Sequence, residues 1–196
     1  MSPRGAVPKS QRGRPPLAGR EIVLGVPGGI AAYKSPEIAR RLMDAGAGVR
    51  AVLTPGAERF IAALTLAAIT GRSASSDPFN LSDGKMPHLT LARADAILVA
   101  PCTADFLSAL AAGRADMLLS SLILTTRAPV LIAPAMHEPM WTHPATRRNA
   151  ETCRSLGYHF VGPDRGALAS GDQGLGRLSD PGLIVAELAK LLSKKR

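Results

Sequence analysis

Aromatic mass is what this sequence lacks. Phe, Trp and Tyr make up 4% of the 196 residues, and there is one Trp. A core must therefore come from Ala, Val, Ile and Leu, within a hydrophobic content of 46%. That mix suits helices packed on both faces of a parallel sheet, whose strands read as short apolar runs. Cysteine is scarce as well: Cys102 and Cys153 are the only two. That excludes a disulfide scaffold and points to reduced thiols in a cytoplasmic protein. No run reaches the roughly 18 apolar residues of a membrane span, and the basic N-terminal stretch is not followed by the apolar region of a secretory signal. The expectation is one cytoplasmic domain with a sizeable core and no membrane partner.

Charge is present, but it is unevenly placed. Lys and Arg number 24 against 15 Asp and Glu, a net charge of +9. Residues 1–20 hold Arg4, Lys9, Arg12, Arg14 and Arg20 without an acid, and the chain ends on Lys190, Lys194, Lys195 and Arg196. These nine account for the whole excess, so the body of the chain is neutral. Basic ends rich in Pro, Gly and Ser read as solvated tails. Residues 1–20 are expected to be a disordered basic tail and 193–196 a short basic end, with no nucleic-acid partner.

Between the tails, strands and helices alternate. Glu21–Val26 reads as a buried strand running into Pro27-Gly28-Gly29, followed by a helix from Ile30 to Ala45. Val49–Thr54 is the second strand and Ala57–Ile69 the second helix. The stretch 71–88, broken by Pro78, Gly84 and Pro87, reads as a long loop of functional interest. Ala96–Ala100 is a strand stopped by Pro101, followed by helices to Ala112 and from Met117 to Leu124. Val130–Ala133 is a strand stopped by Pro134, and a helix over Pro144–Leu156 precedes a strand at His159–Val161. A Gly-rich segment, 166–176, leads to a last helix over Pro181–Leu192. This alternation predicts an α/β fold: a single-domain, doubly wound, Rossmann-like or flavodoxin-like parallel sheet with helices on both faces. Ligands in such sheets sit beyond the carboxyl ends of the strands.

Four segments fall there. Gly28 and Gly29 let the backbone approach a ligand, and the helix start behind them offers N–H groups to an anion, although a tight turn explains the same residues. Thr54-Pro55-Gly56 places a hydroxyl and a turn at the next strand end. Pro101–Phe106 offers Thr103 or Asp105 either as helix caps or as ligand contacts. Ala133–Trp141 gathers two Pro, two Met, His137 and the one Trp into nine residues, a composition that suits a rigid binding loop better than core. Beyond these, His88 stands where the long loop meets the body, and Ala169–Arg177 has the glycine spacing of a mobile flap or of a solvated loop.

Together these segments resemble one family over about residues 21–189: the homo-oligomeric, flavin-containing cysteine decarboxylases. They include phosphopantothenoylcysteine decarboxylase and the peptidyl-cysteine decarboxylases of peptide natural-product pathways. The matches are Gly28–Lys34, His88, Pro101–Phe106 against P-[AL]-[ST]-A-N-T, Pro134–Trp141 against P-x-M-N-x-x-M-W, and Leu168–Arg177 against L-A-C-G-D-x-G-x-G-R. Flavin prenyltransferases share the fold but have a different glycine loop. The resemblance implies a flavoprotein domain over 21–192 that binds FMN through Gly28, Gly29, Ile30, Thr54, Pro55, Gly56, Thr103, Ala104, Asp105, Phe106 and Ala135. It implies His88 as the catalytic histidine and substrate contacts at His137, Met140, Trp141 and Ser170, with no metal. It also implies a trimer, or a dodecamer built of trimers, with FMN at a subunit interface.

Three positions depart from the family pattern. Asp105 and His137 stand where the family has Asn, and Ser170 where the coenzyme A enzyme has Cys. In the family's chemistry the flavin oxidises the substrate thiol, CO2 is lost, and the flap Cys supplies a proton when the resulting enethiol is reduced. A thiol with a pKa of about 8.5 can do this, whereas a serine hydroxyl is far less acidic. Ser170 therefore predicts that turnover stops at the enethiol. The leading expectation is FMN-dependent oxidative decarboxylation of the C-terminal cysteine of a precursor peptide, giving the aminoenethiol used in S-(2-aminovinyl)cysteine formation. The second reading is phosphopantothenoylcysteine decarboxylase of coenzyme A biosynthesis, and the third an inactive flavoprotein serving as a regulatory subunit. His137 as a cation would pair with a substrate carboxylate, and Asp105 would disfavour an anionic reduced flavin.

Overall fold

The computed structural model describes residues 14–79 and 84–194. Five strands form one parallel sheet: β1 (Glu21–Val26), β2 (Gly48–Leu53), β3 (Ala96–Cys102), β4 (Val130–Pro134) and β5 (His159–Phe160). Their order, β2-β1-β3-β4-β5, confirms the doubly wound α/β fold. The order reverses between β1 and β3, and that switch point is where such sheets open a ligand crevice.

β1 and β3 are central and buried on both faces, so their residues divide between two cores. On one side, Leu24, Leu98 and Leu131 pack with Ile38 and Leu42 of α1 (Ser35–Asp44), Leu66 of α2 (Ala63–Thr70), and Ile184 and Leu188 of α8 (Pro181–Ser193). On the other, Val23, Ile97, Val99 and Ile132 pack with Phe106 and Leu110 of α4 (Ala104–Ala111), Leu119 of α5 (Leu118–Thr125), and Ala150 and Cys153 of α7 (Pro144–Ser155). Two short helices complete the set, α3 (Pro87–Leu91) and α6 (Glu138–Thr142).

Several boundaries differ from the sequence reading. The first helix opens as a 3-10 turn, Ile30–Lys34, before α1. The second is a 3-10 turn at Ala57–Arg59 separated from α2. The Gly-rich flap is an antiparallel hairpin, β6 (Asp164–Ala167) and β7 (Gln173–Arg177). The tail boundary also moves. Residues 14–20 are packed, not disordered: Leu17 is fully buried and donates its backbone N–H to Ala45 O at 2.9 Å, and Arg20 pairs with Asp95 at 2.7 Å. An apolar leucine at position 17 finds the groove between α1 and β2, which a charge count does not register. Residues 1–13 and 195–196 of the expected tails lie outside the described residues. Among the described residues, no helix is long and apolar enough to cross a membrane.

Candidate functional site

The loops after β1, β2 and β3 converge at the switch point. Gly28 lies so close to the Thr54-Pro55-Gly56 turn that an added Cβ would come within 2.7 Å of Gly56 O and 2.8 Å of Ala57 N. A Cβ on Gly29 would meet Thr103 Cγ2 at 2.8 Å. Close approach of backbone therefore requires glycine at position 28, while a side chain at position 29 would have to displace the Thr103 methyl. Thr54 Oγ1 accepts the Ala57 N–H at 3.3 Å and holds that turn. Thr103 caps α4, accepting the Phe106 N–H at 3.3 Å, and aims the positive end of that helix at the crevice.

A cavity of about 500 Å³ opens on these loops. The structure brings Gly29, Ile30, Thr103, Ala135, His137 and Ser170 together in its lining. Gly28, Thr54, Pro55 and Gly56 stand behind Gly29 as its support. Asp105 is exposed on the first turn of α4. Beside it Ala104 is half-buried, while the Phe106 ring is buried in the core with 1% exposure, so only its backbone faces the loop. Trp141 is likewise a core residue, 3% exposed with Arg147 stacked 5.2 Å from its ring, because α6 folds its aromatic side back onto α7. Met140 is exposed and outside the lining. His88 sits on α3, which packs on α5, and does not reach the cavity of its own chain.

Residues not assigned from sequence also line the cavity. Tyr33, Lys34 and Arg177 lie within the quoted motifs, and Met136 neighbours His137. Among the described residues, two lysine or arginine cations and a histidine line the cavity, and no Asp or Glu does. Such a surface suits a ligand with several negative charges.

The β6–β7 hairpin is pinned over this cavity. Met136 donates its N–H to Gly176 O at 2.9 Å, and a Cβ on Gly176 would collide with Met136 O. Arg165 reaches Glu138 at 3.5 Å. At the hairpin tip, Ser170 Oγ donates to Asp172 Oδ2 at 2.9 Å, and His137 Nε2 lies 3.5 Å from the same oxygen. Hydrogen bonds from Ser170 and then His137 hold the Asp172 carboxyl below its ordinary pKa. His137 is thus joined to Asp172, not to Asp105.

The glycine approach, the capped helix start and the anion-friendly cavity fit a flavin nucleotide. Among the described residues, no group of three or more His, Cys, Asp or Glu is placed to hold a metal ion.

Comparison with known proteins agrees with that fit. The Flavoprotein family pattern matches residues 11–193. The coenzyme A biosynthesis bifunctional protein CoaBC of Haemophilus influenzae is 44% identical over 184 residues, covering 92% of this chain and 46% of the relative. Its counterpart in Escherichia coli K12 is 47% identical over 173 residues, covering 86% of this chain and 42% of the relative. The chain thus spans about half the length of the curated relatives it matches. Among solved structures, a Cys-to-Ser variant of a PPC decarboxylase complexed with pantothenoylaminoethenethiol superposes with a TM-score of 0.81 at 30% identity, covering 90% of this chain and 99% of that one. The FMN-dependent cysteine decarboxylase SpaF superposes with a TM-score of 0.78 at 29% identity, covering 91% and 98%.

These matches overturn the leading functional expectation. Identity of 44–47% along the whole domain is to coenzyme A biosynthesis proteins, while the peptide-pathway reading rested on motifs shared by both enzyme classes plus Ser170. The Ser170 hydroxyl is one member of a hydrogen-bonded chain with Asp172 and His137, a partnership that its place in the sequence does not reveal. This chain belongs to the Flavoprotein family, with a fold matching PPC decarboxylase structures.

Proposed function

We propose that this chain is an FMN-dependent phosphopantothenoylcysteine decarboxylase acting in coenzyme A biosynthesis. The observation that carries this reading is the cavity lining, where Lys34, Arg177 and His137 face a substrate that bears both a phosphate and a carboxylate. Identity to the CoaBC proteins supports the same substrate class.

FMN, when bound, supplies the two-electron chemistry that oxidises the cysteine thiol and later returns the electrons. In this reading Gly28, Gly29 and the Thr54–Gly56 turn hold the backbone open for it, with Ile30, Thr103 and Ala135 against it. His137 meets the substrate carboxylate, and the β6–β7 hairpin excludes water by closing over the cysteine end. The reading includes a homo-oligomer, in which His88 acts on the cavity of a neighbouring copy, because it lies outside the cavity of its own chain. Expression of this chain should restore growth to a bacterium lacking the decarboxylase activity but retaining the ligase that makes its substrate. Failure to restore growth with soluble, yellow protein in the cells would refute the assignment.

A further inference from the structure

Decarboxylation exchanges a carboxylate for a hydrogen at one carbon, so a decarboxylase of this class needs a proton at that carbon. Ser170 is poorly suited to give it. A hydroxyl is a weak acid, and its proton is already donated to Asp172 Oδ2 at 2.9 Å. His137 differs in three respects. It lines the cavity, it sits on the segment that follows β4, and an imidazole changes charge between about pH 5 and 8. Its Nε2 faces Asp172 Oδ2, which leaves Nδ1 as the nitrogen open to a ligand.

We infer that His137 is the general acid of this site and that Asp172, tethering both His137 and Ser170 through one oxygen, is its positioning residue. The inference rests on the decarboxylase reading above. With the thiol oxidised to C=S by the bound flavin, the C–C bond to the carboxylate would break, CO2 would leave, and its electron pair would form the C=C bond of an enethiolate. The carbon that lost CO2 would take a proton from His137 Nδ1, so a C–H bond forms, an N–H bond breaks and the C=S is restored. The two electrons would return as hydride from the reduced flavin to the sulfur-bearing carbon, the sulfur would take a proton, and the neutral ring would regain its own from solvent. The group that pairs with the carboxylate before it leaves is then already beside the carbon that needs the proton. The separation of 3.5 Å is long for a catalytic hydrogen bond, and such contacts shorten when a substrate closes the site. Asp172 remains an anion under these conditions, because Ser170 and His137 both hold its carboxyl below the usual range. The other charged groups around the ring are Lys34 from the 3-10 turn and Arg177 from β7, which line the cavity, and Glu138 from α6, which Arg165 engages at 3.5 Å.

The test uses the flavin-loaded protein and phosphopantothenoylcysteine, with products read by mass. An enethiol whose carbon never receives the proton cannot take up the hydride either, so that product has lost CO2 and two hydrogens instead of CO2 alone. The wild type should give mainly the saturated product, with the unsaturated share rising as pH increases and the general acid loses its proton. His137→Gln should give mainly the unsaturated product at every pH, at least a tenfold rise in its share near pH 6. Asp172→Asn should shift the share in the same direction, and Ser170→Ala should keep the saturated product although its rate falls. Unsaturated product from Ser170→Ala with saturated product from His137→Gln would assign the proton to Ser170 and overturn the inference. A wild-type share that is flat with pH would overturn it too, and that arm needs no variant to fold. NMR of the labelled protein adds a readout independent of turnover: because one carboxylate oxygen joins the three residues, the Ser170 and Asp172 amides should shift together with the His137 ring as pH is varied. If the wild type leaves the substrate unchanged, the substrate reading fails, and this co-titration alone then keeps or removes the His137–Asp172 pair.

Discussion

Replacing Gly28 with Ala tests whether the two glycine-bearing loops form a ligand site or merely a tight corner. The backbone at Gly28 is not in the left-handed region, so alanine costs nothing in φ. The penalty is contact: its Cβ would stand 2.7 Å from Gly56 O and 2.8 Å from Ala57 N, both backbone atoms that cannot rotate away. Overpacking of this kind costs about 1–3 kcal/mol. The loops can relieve it by separating, but a ligand that needs them close must restore the strain on binding. At about 1.4 kcal/mol per tenfold, the Kd for FMN should rise roughly 5- to 150-fold. Thermal stability should fall by about 3–9 °C, at roughly 3 °C per kcal/mol for a domain this size. Gly71→Ala is the matched control. Its φ of +68° penalises any Cβ by about 1–2 kcal/mol, yet no atom lies within 4 Å and it is remote from the cavity. Both variants should lose stability, but only Gly28→Ala should lose flavin in a fluorescence titration. Equal FMN affinity in the two would refute the assignment of this loop.

Three further outcomes follow from other parts of the molecule. Burial pushes the Cys153 thiol up to about 11 and raises that of Cys102 further, so neither should react with a thiol reagent at pH 8 until the protein unfolds; rapid native-state labelling would contradict the packing. The Glu21 carboxyl is held below its usual range by the hydrogen bond from Arg72, against burial and with help from the Arg72 and Arg50 charges. A lowered carboxyl pKa gives stability that is present above the unfolded value and lost as pH falls. Glu21→Gln should therefore cost about 0.2–1 kcal/mol at pH 7, as for other half-exposed pairs, with the gap closing below about pH 4; a gap that persists in acid denaturation curves would assign it to packing. Phe106→Ala empties the largest fully buried side chain beneath the Thr103 cap, and about 3–5 kcal/mol should be lost in urea unfolding; a loss below about 1 kcal/mol would show that the ring is not core.

The parallel sheet was legible because β1, β3 and β4 are apolar runs with Pro27, Pro101 and Pro134 at their carboxyl ends, although β3 runs through Pro101 to Cys102 and β4 includes Pro134, so these prolines mark the ends without stopping the strands. Gly29, Thr103, Ala135 and His137 lie at those ends, and with Ser170 of the Gly-rich segment they line one cavity. The rings of Trp141 and Phe106, carried over from the family motifs as ligand contacts, fold into the core behind α4 and α7, an orientation that motif position does not show. The hairpin was read as a loop since its strands alternate Gly with polar residues, leaving no apolar period to detect. Leu17 was lost in a basic context for the same reason: one buried side chain carries no pattern. Ser170 was weighed alone because its partnership with Asp172 and His137 joins residues 35 positions apart.

The most direct test is the product formed from phosphopantothenoylcysteine by the purified, flavin-loaded protein under anaerobic conditions. The account predicts a product lighter by CO2 alone, formed catalytically and without an added electron acceptor. An unchanged substrate, or a single turnover that stops at the species lighter by CO2 and two hydrogens, would contradict it.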